Sequence, residues 1–179
     1  MMRQIHRRLS LLLIACGVVC SAQTLEEYQM KTAYMLNIAK FTDWPGEDTR
    51  PVAEPFTICV VGLDPFGHWL DDAVALESPK GRPLNVRRIS SGSQAAGCRI
   101  VFLSSSERKK FAALLTEMEG LPILTMGDSD QARDAGVVVN FCRTAGRIRF
   151  EVNVEAAEKR KLRISARLLS LATIVKNPN

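Results

Sequence analysis

Residues Phe56–Ala75 read FTICVVGLDPFGHWLDDAVA. The opening run FTICVV is uncharged and continuously apolar apart from Thr57, which is the pattern of a strand buried on both faces. Gly62 then breaks it. Asp64 and Pro65 are suited to an N-cap and a first helical turn, and the apolar residues that follow recur at helical spacing. A buried strand that passes at once into a helix predicts a parallel sheet with helices packed on it.

The downstream chain repeats the theme. LNVRRI, from Leu84, alternates and predicts a strand nearer an edge, SGSQAAG a loop or short helix, and RIVFLS, from Arg99, a second buried strand. SSERKKFAALLTEMEG predicts one amphipathic helix opened by serine and closed by Gly120. PILTMGD predicts a strand and SDQARDAG a short helix. The rhythm then changes: VVVNFC and RIRFEVNV, joined by RTAG, predict a β-hairpin with Gly146 in its turn. EAAEKRK and ARLLSLATIV are expected to be closing helices joined by LRIS. The expected class is therefore α/β, a mostly parallel sheet flanked by helices with a C-terminal β-hairpin, in a single domain over residues 23–179.

Upstream of the sheet, TLEE offers a capping box, with Thr24 as N-cap and Glu27 reaching back. Tyr34, Ile38 and Phe41 fall on one face of the helix that follows, Met30, Met35 and Leu36 widen that face, and Pro45 is expected to end it. This helix has more apolar residues than one buried stripe requires. One side is expected on the sheet and the other is available to a second chain.

Residues 1–22 combine three arginines and no acid with the apolar run LSLLLIACGVVC and the small-residue site SA. That predicts a secretory signal peptide cleaved after Ala22. A rival reading takes LIAC, ending at Cys16, as a lipoprotein box, and a third takes the run as a buried N-terminal helix. Cleavage removes three of the 24 Lys+Arg and none of the 19 Asp+Glu, leaving 21 against 19. The remaining excess is too small to argue for nucleic acid.

Export also frames the cysteines. Cys59, Cys98 and Cys142 remain after cleavage, so at most one internal bridge forms. Cys59 sits in one expected strand and Cys98 just before another, and neighbouring strands bring such a pair within bridging distance. The alternative is three buried free thiols. Cys142 is the odd thiol; it is expected inward as core, while an outward side chain would let it link two protomers. Zinc is not expected, since there is no Cys-x-x-Cys and His68 is the single histidine after cleavage.

No convergent catalytic set is legible. The turn GLDPFG occupies the place where doubly wound folds bind ligands but matches no phosphate-binding fingerprint. Ser104–Ser106 lack a nucleophile elbow and read as a helix cap. Asp71 and Asp72, adjacent on one helix, point apart. In GRIRFEVN the side chains alternate: Ile148, Phe150 and Val152 are expected in the core, with Arg147, Arg149, Glu151 and Asn153 on the outer face, joined there by Phe141 if the turn register allows. Phe141, Arg149, Glu151 and Asn153 are the expected partner-binding residues, because aromatics and arginine dominate binding hot spots.

The segments KTAYMLNIAKFTDWP, ICVVGLDPFG, GCRIVFLSSS, PILTMGD, GVVVNFCRTAGRIRFEVNVEAAEKRKLRIS and ARLLSLATIV resemble, in order, the YfiR family (the DUF4154 domain) of small periplasmic proteins. The resemblance implies a non-enzymatic repressor without cofactor or metal. Such a protein binds the periplasmic sensor part of a membrane-anchored diguanylate cyclase (YfiN-like) and lowers cyclic-di-GMP synthesis, with effects on biofilm regulation. An OmpA-like outer-membrane lipoprotein (YfiB-like) relieves the repression, and a homodimer is implied. Cys59 and Cys98 match a family disulfide, whereas Cys142 lacks the nearby partner that some relatives carry. The alternative function is a periplasmic domain that senses a small ligand.

Overall fold

The computed structural model describes residues 26–76 and 79–176; the expected signal peptide over residues 1–22, Cys16 and Thr24 lie outside them. Residues 26–40 form helix α1. It stops ahead of Pro45, where the Thr42 hydroxyl donates to the Ile38 carbonyl at 2.9 Å, and the chain enters a short strand, β1 (Thr42–Asp43). There follow β2 (Phe56–Val61), α2 (His68–Leu76), β3 (Leu84–Ile89), β4 (Cys98–Leu103), α3 (Phe111–Glu117), β5 (Leu124–Gly127) and α4 (Asp130–Ala135). The chain closes with β6 (Val139–Thr144), β7 (Arg147–Asn153), α5 (Val154–Lys159), β8 (Arg163–Ile164), α6 (Ala166–Leu169) and β9 (Thr173–Val175).

Among the described residues, seven strands form one sheet in the order β3-β2-β4-β5-β6-β7-β9, and β1 pairs with β8 apart from it. The run from β3 to β6 is parallel, β7 returns antiparallel to β6, and β9 runs parallel to β7. Alternation along the central strands feeds two cores. Ile58, Val60, Ile100, Phe102, Leu124 and Met126 face α1, Phe66, Leu70 and Leu168. Cys59, Val61, Val101 and Leu103 face α3 and α4 through Phe111, Leu114 and Ala132. The mostly parallel α/β architecture and its hairpin are thus as the sequence predicts.

Three local expectations are corrected. ARLLSLATIV is helical only at α6; the β-branched residues Thr173, Ile174 and Val175 leave it to pair with Glu151, Val152 and Asn153 of β7. The long helix from Ser105 is a 3-10 segment, Ser105–Lys110, followed by α3. Asp64 does not cap α2, which begins at His68; its Oδ1 instead accepts the Phe66 N–H at 2.8 Å, closing a tight turn.

Cys59 and Cys98 form a disulfide with Cα atoms 6.0 Å apart, and a β-bulge makes it possible. Cys59 pairs with Val101, and in unbroken alternation Cys98 would face the opposite side of the sheet. Instead Thr57 pairs with Cys98 and Ile58 with Ile100, so Arg99 is an extra residue in β4. The bulge brings Cys98 to the Cys59 face and leaves Arg99 to meet Glu47 at 2.9 Å, which also holds Arg82 at 3.2 Å. The linker between β1 and β2 is fastened in this way to β4 and to the entrance of β3.

At the far end of the sheet, α1 is fastened by charge. Lys31 Nζ lies 2.7 Å from Asp128 Oδ2, just beyond β5, and both side chains are only 5% exposed. Glu27 reaches Lys31 at 2.7 Å and also meets Arg143 of β6 at 3.1 Å. The Tyr28 hydroxyl donates to Asp128 at 2.8 Å. Burial first, and the Asp128 carboxylate second, hold the Tyr28 phenol above its ordinary value of 10.0.

Non-reducing peptide mapping is expected to recover the Cys59–Cys98 link, and Cys98→Ser is expected to lower unfolding free energy by about 4 kcal/mol in a urea titration, the loop-entropy value for roughly 40 residues. Lys31→Met strands the buried Asp128 carboxylate and is expected to cost about 3–5 kcal/mol in the same assay, with part recovered in Lys31→Met/Asp128→Leu. For Tyr28, the unfolded chain loses the phenol proton near pH ~10 while the folded chain keeps it. Stability is therefore expected to decline as pH rises above about 10, and Tyr28→Phe to flatten that decline in urea midpoints taken across the range.

Candidate functional site

In an open α/β sheet, ligands bind beyond the C-terminal ends of strands at the point where connections diverge. Here that point lies between β2 and β4, at Gly62 and Ser104. It is filled from within. Gly62 has φ of 90°, and a Cβ there would stand 2.5 Å from Ser106 Oγ and 2.7 Å from Glu107 Cγ. Ser106 Oγ accepts the Leu63 N–H at 2.9 Å, and Ser104 takes the N-cap position, its Oγ accepting from the Ser106 N–H. Beyond β5, Tyr28 and Lys31 occupy the corresponding place. Tyr28 stacks edge-on against Phe66 at 5.3 Å, and Phe66 against Phe102 at 4.8 Å.

An accessible groove lies elsewhere, about 570 Å³ between α1 and the hairpin. One wall carries Glu26, Met30 and Tyr34, and the other Arg143, Arg147 and Arg149. Met30, on α1, is 50% exposed. The Tyr34 ring packs 6.0 Å from Phe150 and 6.5 Å from Phe141, and the Arg143–Glu27 ion pair joins the walls. An aromatic and a thioether flanked by guanidinium groups suit protein recognition.

The hairpin turn sets which residues reach this surface. Ala145 and Gly146 have φ of 50° and 75°, the pair of positive values that a two-residue type I′ turn requires. Thr144 then pairs with Arg147, and the count puts Phe141 opposite Phe150 and Cys142 opposite Arg149. Phe141 therefore shares the core face, 1% exposed, and the outer-face expectation for it is corrected. Asn153 is on the expected side of β7 but buried; its Oδ1 caps α5 by accepting the Ala156 N–H at 2.9 Å. Glu151 is half-buried and accepts from Asn140 Nδ2 at 3.0 Å. Arg149 is exposed at the rim of the groove, its side chain on the sheet face opposite Phe150 and Tyr34. Cys142 lies on the Arg149 face, half-buried, neither sealed in the core nor free at the surface; burial first, then Glu151, pushes its thiol up.

The α1 wall was half legible: the surplus of apolar residues marks the helix, but it does not say that Met30 and Tyr34 face the hairpin. Glu26 and Glu27 as groove residues have no signal in the sequence, since their partners lie on a hairpin far along the chain.

Among solved structures, a conserved domain protein from Vibrio cholerae O1 biovar El Tor superimposes with a TM-score of 0.51 at 13% identity, over 67% of this chain and 54% of that one. The ABC domain in complex with L-Trp from Streptococcus pneumoniae gives 0.48 at 9% identity, over 67% of this chain and 55% of that one. The chain thus spans about half the length of each, and the Vibrio likeness is one of α/β fold. The family described as YfiR/HmsC-like matches residues 28–173, from Tyr28 of the α1 anchor through to the first residue of β9. With nearly all of the described sheet inside that match, the chain belongs to the YfiR/HmsC-like family.

Proposed function

We propose that this chain represses a membrane-anchored diguanylate cyclase of YfiN type by binding its periplasmic sensor domain, and that an OmpA-like, YfiB-like lipoprotein relieves the repression by sequestering it. Family membership supports a regulatory role in the periplasm. The observation that carries the binding reading is the contrast between two places. The ligand crevice at Gly62 is packed by Ser106 and Glu107, while the groove between α1 and the hairpin is open and presents Met30, Tyr34 and Arg149. A repressor of this kind needs no nucleophile, only a surface. The proposed assembly is a homodimer, with export to the periplasm directed by residues 1–22.

A small-ligand sensor is the second reading. It draws on a groove of about 540 Å³ between α1 and α2, lined by Thr32, Leu36, Asn37 and Trp69. There the Trp69 indole N–H is buried with no acceptor among the described residues. Native mass spectrometry of protein purified gently from the periplasm separates the readings: a retained small molecule supports the sensor.

Arg149 is the proposed partner contact of the hairpin. Arg149→Glu is expected to keep the circular-dichroism spectrum and unfolding midpoint of the parent. Binding to the cyclase's purified sensor domain is expected to weaken at least tenfold, as for a hot spot of about 1.4 kcal/mol or more, and a cyclic-di-GMP reporter should rise. A folded Arg149→Glu protein that binds and represses like the parent places the surface elsewhere.

A further inference from the structure

Strand β9 ends the sheet on one side, and no strand lies beyond it among the described residues. An edge strand turns unpaired N–H and C=O groups outward, and natural proteins blunt such edges with charge, proline or bulges. The opposite edge is blunted in this way. In β3, Arg87 and Arg88 stand in the strand, and Arg88 is held by Asp64 and Asp71 at 2.7 Å each. Strand β9 has no such device. Its residues Thr173, Ile174 and Val175 are uncharged and β-branched, Ile174 is 51% exposed, and Leu171 just before it is 69% exposed.

Along the chain around this edge the charge has one sign. Residues 159–176 contain six Lys or Arg and no Asp or Glu. Two of the six are engaged, Arg160 donating to the Met118 and Leu115 carbonyls and Arg167 lying over the Phe41 ring at 5.7 Å, and Arg163 sits opposite Asp43 in the β1–β8 pairing. Arg167 and Lys176 flank β9 along the chain and are exposed. Arg149 is exposed on β7, two residues ahead of the Glu151 that pairs with Thr173. The nearby Glu151 carboxylate is already bonded to Asn140.

We infer that β9 is a docking edge for an extended acidic polypeptide segment, which adds to the sheet as a further strand. Its centre is uncharged and β-branched, packing on Leu171 and Ile174, and its Asp or Glu flanks face Arg149, Arg167 and Lys176. Backbone hydrogen bonds supply affinity in this mode and the flanking charges supply selectivity. A second copy of this chain is a poor occupant, because two-fold pairing sets the cations of one edge against those of the other. The inference does not depend on the identity of the cyclase partner.

The test uses three fluorescein-labelled synthetic peptides and the mature protein, read by fluorescence anisotropy. All share a Val/Thr core; one has Asp/Glu flanks, one has Lys flanks, and one has acidic flanks with a central proline. The acidic peptide is expected to bind at least tenfold tighter than either of the others and to weaken with added salt. Ile174→Lys and Arg167→Glu are each expected to weaken it about tenfold with the unfolding midpoint unchanged. Equal binding of the acidic and proline-interrupted peptides overturns the inference in favour of simple charge attraction, and no binding by any peptide overturns it outright. Sedimentation with phosphatidylglycerol vesicles, abolished by Ile174→Lys while no peptide binds, assigns the edge to a membrane instead. A concentration-dependent dimer abolished by Ile174→Lys assigns it to a second copy.

Discussion

Lys31 and Asp128 are opposite charges taken almost wholly out of water, one on the first helix and one just past β5. Removing two such groups from water costs several kcal/mol each, and the pair is tolerable only because every partner is in place. Glu27 and the Tyr28 hydroxyl supply the rest of the hydrogen bonding, and the Tyr28 ring lies beneath the ammonium at 4.3 Å. Hydrophobic packing of Met35, Ile38 and Ala39 would hold α1 somewhere on the sheet; the ion pair decides where along it. The rest follows from that placement. Met30 and Tyr34 face the hairpin, Arg143 meets Glu27, and the end of the sheet that doubly wound folds leave open is occupied.

Periodicity made the layered fold legible. The unbroken apolar run in β2 and the one in β4 can only be buried on both faces, and the helical pattern after each strand requires a parallel sheet. What the sequence withheld lies between distant residues or in counting. Lys31 and Asp128 are separated by 97 positions and carry no mutual signal. The register of the hairpin was accessible in principle: a two-residue loop with glycine second fixes the pairing, and counting back from Thr144 and Arg147 places Phe141 opposite Phe150. The ending of the chain misled because LLSL has helical spacing, while the three β-branched residues after it take the edge of the sheet. Of the residues expected on the outer face, the exposure of Arg149 was legible from alternation alone. Phe141 and Asn153 depended on register and on a cap formed three residues on.

The two ends of the parallel strands are handled by different chemistry toward the same result. At the N-terminal ends, Glu47 joins Arg82 and Arg99 and ties the linker down. Burial pulls the Arg99 guanidinium below its ordinary value, with Glu47 opposing. At the C-terminal ends, Ser106, Glu107, Tyr28 and Lys31 fill the crevice. A sheet closed at both ends is a platform, and the variable features are left to its sides: the groove along α1 and the edge at β9.

The single extra residue at Arg99 ties a covalent bond to one strand alignment. Between paired strands, a slip by one position sends Cys98 through to the other side of the sheet, out of reach of Cys59. In the folded protein the bond therefore acts as a latch on register: β2 and β4 cannot slide against each other while it is intact, and the bulge cannot be ironed out without breaking it.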